Sequence, residues 1–245
     1  MPAKGGSSLQ PANEPLSPRR RGCTLQSMRI IVTCGPGCEP IDEVRFLSNF
    51  STGELGMLLA IELQQHGFEV LCLRSRLAIY PVVKNVEVIP FSTNDELAEI
   101  FQQLSTKEDV AAIFHAAALC DYRVEKVTAM DGSTLNLEKI PTSIGRLNLT
   151  LEPSLKVIAN LRTWFPQALL VGWKYEVSGT REESDQKAQQ QIEKYQLDAS
   201  IANGPATTGH FDLMLRDESR HALSSKKELV HFLVTWLQDT LPQTP

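Results

Sequence analysis

Three groups of side chains have the types and spacing to handle a phosphate or a nucleotide. In the first, Gly35-Pro36-Gly37 follows an apolar run and Ser51-Thr52-Gly53 opens a helical pattern. A helix that starts there offers free backbone N–H groups and the positive end of its dipole to an anion. The second is His115-Ala116-Ala117-Ala118-Leu119-Cys120-Asp121-Tyr122-Arg123. Its small residues let a flat ring lie against the backbone, and Asp121 can accept bonds from ribose hydroxyls. The plainer reading is an alanine-packed strand tip, a turn-capping aspartate and a satisfied histidine. The third is a set of lysines. Lys139 stands beside Ile140-Pro141 in a stretch without apolar periodicity, and Lys187 and Lys194 share one face of a polar helix at heptad spacing. A mobile Lys139 can close on a polyphosphate and stabilise charge developing on it. Taken alone, the helix lysines fit a solvated face and Lys139 an ordinary surface loop. No Gly-x-x-x-x-Gly-Lys-Ser/Thr is present, so helix termini, glycine turns and separate lysines would have to hold the phosphates.

The elements that must position these groups alternate along the chain. Apolar runs predict strands over Ile30–Thr33, Phe68–Leu73, Val86–Pro90, Val110–Ala116, Ala168–Trp173, Ala199–Asn203 and Asp212–Leu215. Helical periodicity covers Gly53–His66, where Leu55, Leu58, Leu59 and Leu63 form a stripe that Gly67 closes. It recurs over Thr93–Leu104, capped by Thr93 or Asn94 with Glu96 in capping-box position, and over Ser154–Trp164, Thr180–Lys194 and Ser225–Leu241. From Asp121 to Leu147 the pattern is lost, as expected of a functional loop or flap. The alternation predicts an α/β fold: a doubly wound, Rossmann-like, mostly parallel sheet with helices on both faces, in a single domain. Such sheets bind ligands where strands end and helices begin, which is where the first two groups fall.

Composition narrows the function. A net charge of −5 over 245 residues argues against broad nucleic-acid binding, and no apolar run approaches the roughly 18 residues of a membrane span. The five cysteines, Cys23, Cys34, Cys38, Cys72 and Cys120, are irregularly spaced. Cys34 and Cys38 lack a second Cys/His pair, so no zinc site is expected. Reduced thiols are, with Cys72 and Cys120 buried in strands as small apolar residues. Residues 1–27 carry Gly5-Gly6-Ser7-Ser8, four prolines and Arg19-Arg20-Arg21 without an apolar core. They read as a disordered tail, with residues 28–245 as the working domain.

A nicotinamide-dependent oxidoreductase is the obvious rival. Gly35-Pro36-Gly37 invites it, Arg74-Ser75-Arg76 would suit a 2′-phosphate, and Tyr122-x-x-x-Lys126 has the spacing of short-chain reductases. Pro40, however, stands where the fingerprint wants its third glycine, and no helix is expected before Gly53. The Tyr–Lys pair follows a strand directly.

The run Glu39-Pro40-Ile41-Asp42-Glu43-Val44-Arg45-Phe46-Leu47-Ser48-Asn49-Phe50-Ser51-Thr52-Gly53-Glu54-Leu55-Gly56 resembles the signature of the phosphopantothenoylcysteine synthetase family. Ala116-Ala117-Ala118 through Asp121-Tyr122-Arg123, Glu138-Lys139-Ile140, Val171-Gly172-Trp173-Lys174-Tyr175-Glu176 and Ile201-Ala202-Asn203 match its later motifs in order. The resemblance covers Met28 to about Leu241. It implies a coenzyme A biosynthesis ligase that joins 4′-phosphopantothenate to L-cysteine through an acyl-nucleotide, releasing pyrophosphate. CTP is favoured as co-substrate, ATP is the alternative, and Mg²⁺ is carried on the triphosphate. It implies that Asn49 orients the acyl carbonyl, that Lys139 stabilises phosphate charge, and that Arg45, Ser51, Thr52 and Gly53 contact substrate. Gly35, Gly37, Ala116, Ala117, Asp121, Trp173, Lys187 and Lys194 would bind the nucleotide. It further implies a cytoplasmic homodimer of the stand-alone form, with phosphopantothenoylcysteine decarboxylase as a separate protein.

The departures fall on nucleotide contacts. Gly37 replaces a hydroxyl residue, Gly204 replaces the family's Asp, and Gln190 and Gln191 sit near the spacing of the second helix lysine, for which Lys194 is the choice. They leave a non-catalytic nucleotide-binding paralogue as a third reading, beside the NADP-dependent reductase.

Overall fold

The computed structural model describes residues 29–241. The tail expected over residues 1–27 lies outside the described residues. The strands, in chain order, are β1 (Arg29–Cys34), β2 (Cys38–Pro40), β3 (Phe46–Ser48), β4 (Glu69–Ser75), β5 (Glu87–Phe91), β6 (Val110–His115), β7 (Tyr122–Ala129), β8 (Leu147–Pro153), β9 (Leu169–Tyr175), β10 (Ala199–Asn203), β11 (Phe211–Leu215) and β12 (Arg220–Leu223). The α-helices are α1 (Glu54–Gln65), α2 (Asn94–Ser105), α3 (Ile158–Trp164), α4 (Arg181–Tyr195) and α5 (Lys226–Thr240).

Eight strands form one sheet in the order β12-β11-β10-β9-β6-β1-β4-β5. It is parallel from β10 to β5, and β11 and β12 add an antiparallel edge. The apolar stripes of α1 and α5, through Leu59, Leu63, Leu229 and Leu233, cover one face. Those of α2, α3 and α4, through Leu97, Phe101, Leu161 and Ile192, cover the other. Burial on both faces is why β1, β4, β6 and β9 read as near-continuous apolar runs. The predicted doubly wound fold is therefore the observed one. From β1 the chain winds to β4 and β5 on one side, then crosses to β6 on the other. This reversal opens a crevice beyond the carboxyl ends of β1 and β6.

Two glycines set the crevice floor. Gly35 has φ +87°, and a Cβ there would stand 2.7 Å from Ala78 Cβ and 2.8 Å from Ser75 Cβ. A Cβ on Gly56 would meet Cys34 Cβ at 2.5 Å, so α1 packs directly on the end of β1.

Other local expectations change. Part of the pattern-free stretch is β7, which pairs antiparallel with β8, and β2 pairs with β3. In β7, Tyr122, Arg123, Glu125 and Lys126 are exposed, so the alternation that marks a half-buried strand is absent. Helix α3 begins at Ile158 rather than Ser154, because Ser154 leaves the helix to bond Asn94 and Glu39. Thr93 caps α2 by accepting from Glu96 N–H, but the Glu96 carboxylate takes the Ser92 N–H instead of closing the box. Cys72 is buried in β4 as expected, whereas Cys120 is buried in the turn after β6.

Candidate functional site

The crevice wall is made where the loops after β1 and β6 meet. Ala118 N–H donates to Gly35 O and Gly37 N–H to Ala118 O, each at 3.0 Å. Ser48 Oγ donates to Gly37 O at 2.8 Å, and Cys120 Sγ approaches the same carbonyl at 3.5 Å. Gly37 thus forms the back of the wall and lines neither cavity described below.

Asn49 follows β3 and reaches across this wall. Its Nδ2 donates to Leu119 O at 2.8 Å and to Ala118 O at 3.3 Å. Two carbonyl partners fix the amide orientation, so Oδ1 is the free atom. A cleft of about 540 Å³ lies on one side, lined by Gly35, Asn49, Ser51, Gly53, Ala117 and Trp173 among others. A second cavity of about 270 Å³ lies on the other, lined by Asn49, His115, Ala117, Asp121, Trp173 and Gln191 among others. Asn49, Ala117, Ala118, Trp173 and Tyr175 line both.

The N-terminal turn of α1 faces the larger cleft through Gly53, Glu54, Leu55 and Gly56, and Gly53 at the N-cap has no side chain to offer it. Ser51 Oγ accepts from Gly53 N–H and Thr52 Oγ1 from Glu54 N–H, which shapes the approach. Lys226, on the first turn of α5, lines the same cleft and pairs with Glu54.

In the smaller cavity Asp121 receives Lys156 Nζ at 2.6 Å. Nearby, the buried Glu176 carboxylate takes Lys187 Nζ at 2.5 Å and Lys174 Nζ at 3.2 Å. The two lysines hold its pKa below the ordinary carboxylate range, against its own burial, which pushes the other way. Ser200 Oγ donates to Gln191 Oε1 at 2.6 Å, which leaves Gln191 Nε2 near Trp173 O at 3.4 Å.

Of the predicted site residues, Gly35, Asn49, Ser51, Thr52, Gly53, Ala116, Ala117, Asp121 and Trp173 line the two cavities. Five others lie elsewhere: Gly37 at the back of the wall, and Lys187, Lys194, Arg45 and Lys139. Lys187 sits behind the site in the Glu176 cluster. Lys194 is exposed over the Tyr195 ring, 5.3 Å from its centroid. It is about 10 Å further along α4 than Lys187, away from the strand tips, and Gln191 holds the place beside Trp173. Arg45 is locked away from both cavities. It forks onto Asp42 and donates to Ile140 O at 2.6 Å, while Ile140 N–H donates to Asp42 Oδ2 at 3.1 Å. The Arg45 guanidinium keeps the Asp42 pKa far below the ordinary range. Lys139, next to Ile140, is exposed at the tip of the β2–β3 hairpin. Arg45 and Asn49 are four steps apart along extended chain, roughly 13 Å. The Asn49 and Asp121 segments therefore converge, and Lys139 stands apart.

Lys156, Lys226 and Asn94 were not singled out from sequence. Lys226 carries a signal: a lysine in the first turn of a helix opposes its dipole. Tyr122 and Lys126 both lie on β7, with a register shift between Val124 and Lys126. Four strand residues span about 13 Å, so they do not form the compact dyad of a short-chain reductase.

Residues 25–238 match the family of the DNA/pantothenate metabolism flavoprotein C-terminal domain. The coenzyme A biosynthesis bifunctional protein CoaBC of Thermococcus kodakarensis is 31% identical over 183 residues, covering 74% of this chain and 42% of that protein. The chain thus spans less than half the length of that relative. The solved DNA/pantothenate metabolism flavoprotein from Streptococcus pneumoniae has a TM-score of 0.77 at 24% identity, over 87% of this chain and 100% of that one. A Cab2 variant in complex with phosphopantothenate-cysteine has a TM-score of 0.67 at 20% identity, over 87% of each chain. The order of motifs, the crevice they line and the match over most of the chain agree: the protein belongs to the DNA/pantothenate metabolism flavoprotein C-terminal domain family.

Proposed function

We propose that the chain is an acid–amino-acid ligase that joins 4′-phosphopantothenate to L-cysteine. The observation that carries this reading is Asn49, fixed by two carbonyls at the junction of two cavities and able to face groups in both. A carboxylate is a poor acylating agent until its oxygen is given a better leaving group. In the first step a carboxylate oxygen of 4′-phosphopantothenate attacks the α-phosphorus of CTP or ATP. The bond to pyrophosphate breaks and a mixed anhydride forms. In the second step the cysteine amine attacks the acyl carbon, the C–O bond breaks, the monophosphate leaves, and the amine proton passes to solvent or phosphate. Both steps depend on positioning and charge stabilisation.

The uncapped turn of α1 and Lys226 would face anionic groups in the larger cleft. Asp121 would accept from the ribose once Lys156 yields. Asn49 would exchange its longer bond, to Ala118, for the acyl carbonyl, while Oδ1 accepts from the incoming amine. Lys139 would act on the first step after its segment swings from the hairpin tip. Among the described residues no three His, Cys, Asp or Glu side chains are grouped to hold a metal. Mg²⁺ would come with the triphosphate and neutralise its charge. CTP is the favoured nucleotide, and the reading carries with it a cytoplasmic homodimer whose product a decarboxylase would consume. No helix among the described residues is long and apolar enough to cross a membrane.

Incubation with 4′-phosphopantothenate, cysteine and CTP or ATP tests the proposal. Pyrophosphate release that requires phosphopantothenate, followed by amide formation, supports it. NADPH oxidation without pyrophosphate would favour the reductase. Nucleotide binding without turnover would favour the non-catalytic paralogue.

A further inference from the structure

The turn after β6 is held from two sides, and the two-step chemistry draws on one of them. Its four successive carbonyls are all taken. Ala118 O accepts from Gly37 N–H at 3.0 Å and from Asn49 Nδ2 at 3.3 Å, and Leu119 O accepts from Asn49 Nδ2 at 2.8 Å. Cys120 O accepts from Asn94 Nδ2 at 2.8 Å, and Asp121 O from Ser154 N–H at 2.9 Å. Asn49 thus grips the first half of the turn, and Asn94 and Ser154 grip the second. These donors come from the loop after β1, the loop after β3, the start of α2 and the segment after β8, so none of them is local to the turn.

Asn94 opens α2 and is 2% exposed. Besides Cys120 O, its Nδ2 lies 3.0 Å from Ser154 Oγ and 3.0 Å from Leu155 O. Flipping the amide would set Oδ1 against two carbonyls, so its orientation is fixed. Oδ1 is buried, has no partner among the described residues and faces Gly37, where an added Cβ would stand 3.2 Å from it. An unpaired buried oxygen is costly, so the bonds made by Nδ2 must outweigh it. Behind Asn94 stands the buried Glu39. Its Oε1 accepts from Ser154 Oγ at 3.3 Å, and Asn94 N–H bonds the same carboxylate. The Ser154 proton therefore points to Glu39 and its lone pairs to Asn94. The bonds from Asn94 through Ser154 to Glu39 run in one direction and reinforce one another.

We propose that Asn94 is a positioning residue that aims Asn49. It clamps the second half of the turn and so keeps Leu119 O in place as the anchor of the Asn49 amide. Asn49 gives up its bond to Ala118 O when it takes the acyl carbonyl. Leu119 O is then the protein acceptor that remains to it, and the next carbonyl, Cys120 O, is the one Asn94 holds. A turn free to shift at that moment would carry the Asn49 amide with it, and a small error of aim costs rate in a step that depends on alignment. Pyrophosphate release draws on Lys139 instead and is affected less. This inference rests on the acyl-orienting role proposed for Asn49. Asn94 acts through that residue, and no covalent bond is made or broken by it.

Nuclear magnetic resonance of the full chain tests it, with the Asn49 side-chain amide identified as the signal missing from Asn49→Ala. In the parent that amide should have an order parameter near that of rigid backbone, about 0.85, and in Asn94→Ala it should fall below about 0.6. The backbone of β4 should stay rigid in both. In a single turnover Asn94→Ala should release pyrophosphate within about twofold of the parent rate and form amide about tenfold more slowly. A merely structural loss would slow both steps alike. Ser154→Ala, which removes one acceptor of Asn94 and leaves both carbonyls, should show the same split at about threefold. An Asn49 amide as rigid in a folded Asn94→Ala variant as in the parent, or equal slowing of the two steps, overturns the proposal. If Asn94→Ala shows no cooperative melt, Ser154→Ala decides, and a parent-like amide there with both rates unchanged overturns it. A parent chain that never releases pyrophosphate would overturn the ligase reading, whereas a rigid Asn49 amide that loosens in Asn94→Ala would leave this one standing.

Discussion

On the crevice wall, the loops after β1 and β6 are stitched by backbone bonds, backed by Gly37 and crossed by Asn49. The arm that follows is built differently. Among the described strands β7 and β8 pair with each other and with no other strand, and Tyr122, Met130, Leu137, Leu149 and Leu151 are exposed along the arm. The arm is tied to the β2–β3 turn by the lock of Arg45, Asp42 and Ile140 and by Glu43 N–H donating to Glu138 O at 2.9 Å. The wall fixes acceptors and donors in advance, as an acyl group held for attack requires. The arm carries Lys139 with its side chain exposed between two tied neighbours, Glu138 and Ile140, so this cation reaches charge developing elsewhere by opening those ties. Position is built into the first region and freedom into the second.

The contrast breaks most readily at Gly35. Gly35→Ala should destabilise the fold by about 3–4 kcal/mol, combining left-handed backbone strain with overpacking against Ala78 and Ser75. Chemical denaturation measures this, and an unchanged midpoint would mean the wall is not tightly fitted. Lys139→Met should do the reverse. Pyrophosphate release should slow about 100-fold while the melting temperature holds, and a variant as fast as the parent would remove Lys139 from the chemistry.

A third effect comes from His115 on the wall side. Its folded pKa of about 4 lies below the ordinary 6.5 because burial disfavours the cation. As pH falls the unfolded chain takes the proton first. The stability His115 contributes above pH 6.5 is therefore lost between pH 6.5 and about 4, by about 3 kcal/mol, and then levels off. Glu39, whose pKa burial raises, works in the opposite direction. The difference between the parent and His115→Phe in urea at pH 7 and pH 4.5 isolates the histidine, and parallel losses in the two would contradict the assignment. The smallest effect is expected at the arm's lock. Arg45→Met should cost under about 1 kcal/mol, since the guanidinium is partly exposed, yet hydrogen exchange at Ile140 should quicken. Unchanged exchange would show that the arm is held by something else.

The same contrast governs what the sequence reveals. Strands buried on both faces announce themselves as Ile30–Val32 and Ala111–Phe114, so the sheet and its helices were legible. Part of the wall was legible as well, because Ala117 and Asp121 stand as small residues and a carboxylate at a strand tip, whereas Asn49 stood out only through the family resemblance. The arm was not, since a strand solvated along most of its length has no period to read. Lys194 and Gln191 show a second limit. Heptad spacing places Lys187 and Lys194 on one face, but it cannot say how far along α4 the strand tips reach. Lys156 and Lys226 meet the site through tertiary packing, and only Lys226, in the first turn of its helix, carries a local mark.

The central claim is that Asn49, held at the junction of the two cavities, orients an activated acyl group for attack by cysteine. A rapid-quench single turnover of Asn49→Ala with 4′-phosphopantothenate, cysteine and nucleotide tests it most directly. Pyrophosphate release should persist, acyl-nucleotide should accumulate, and amide formation should fall about 100-fold. Full amide formation at the parent rate, with no acyl-nucleotide build-up, would contradict the account.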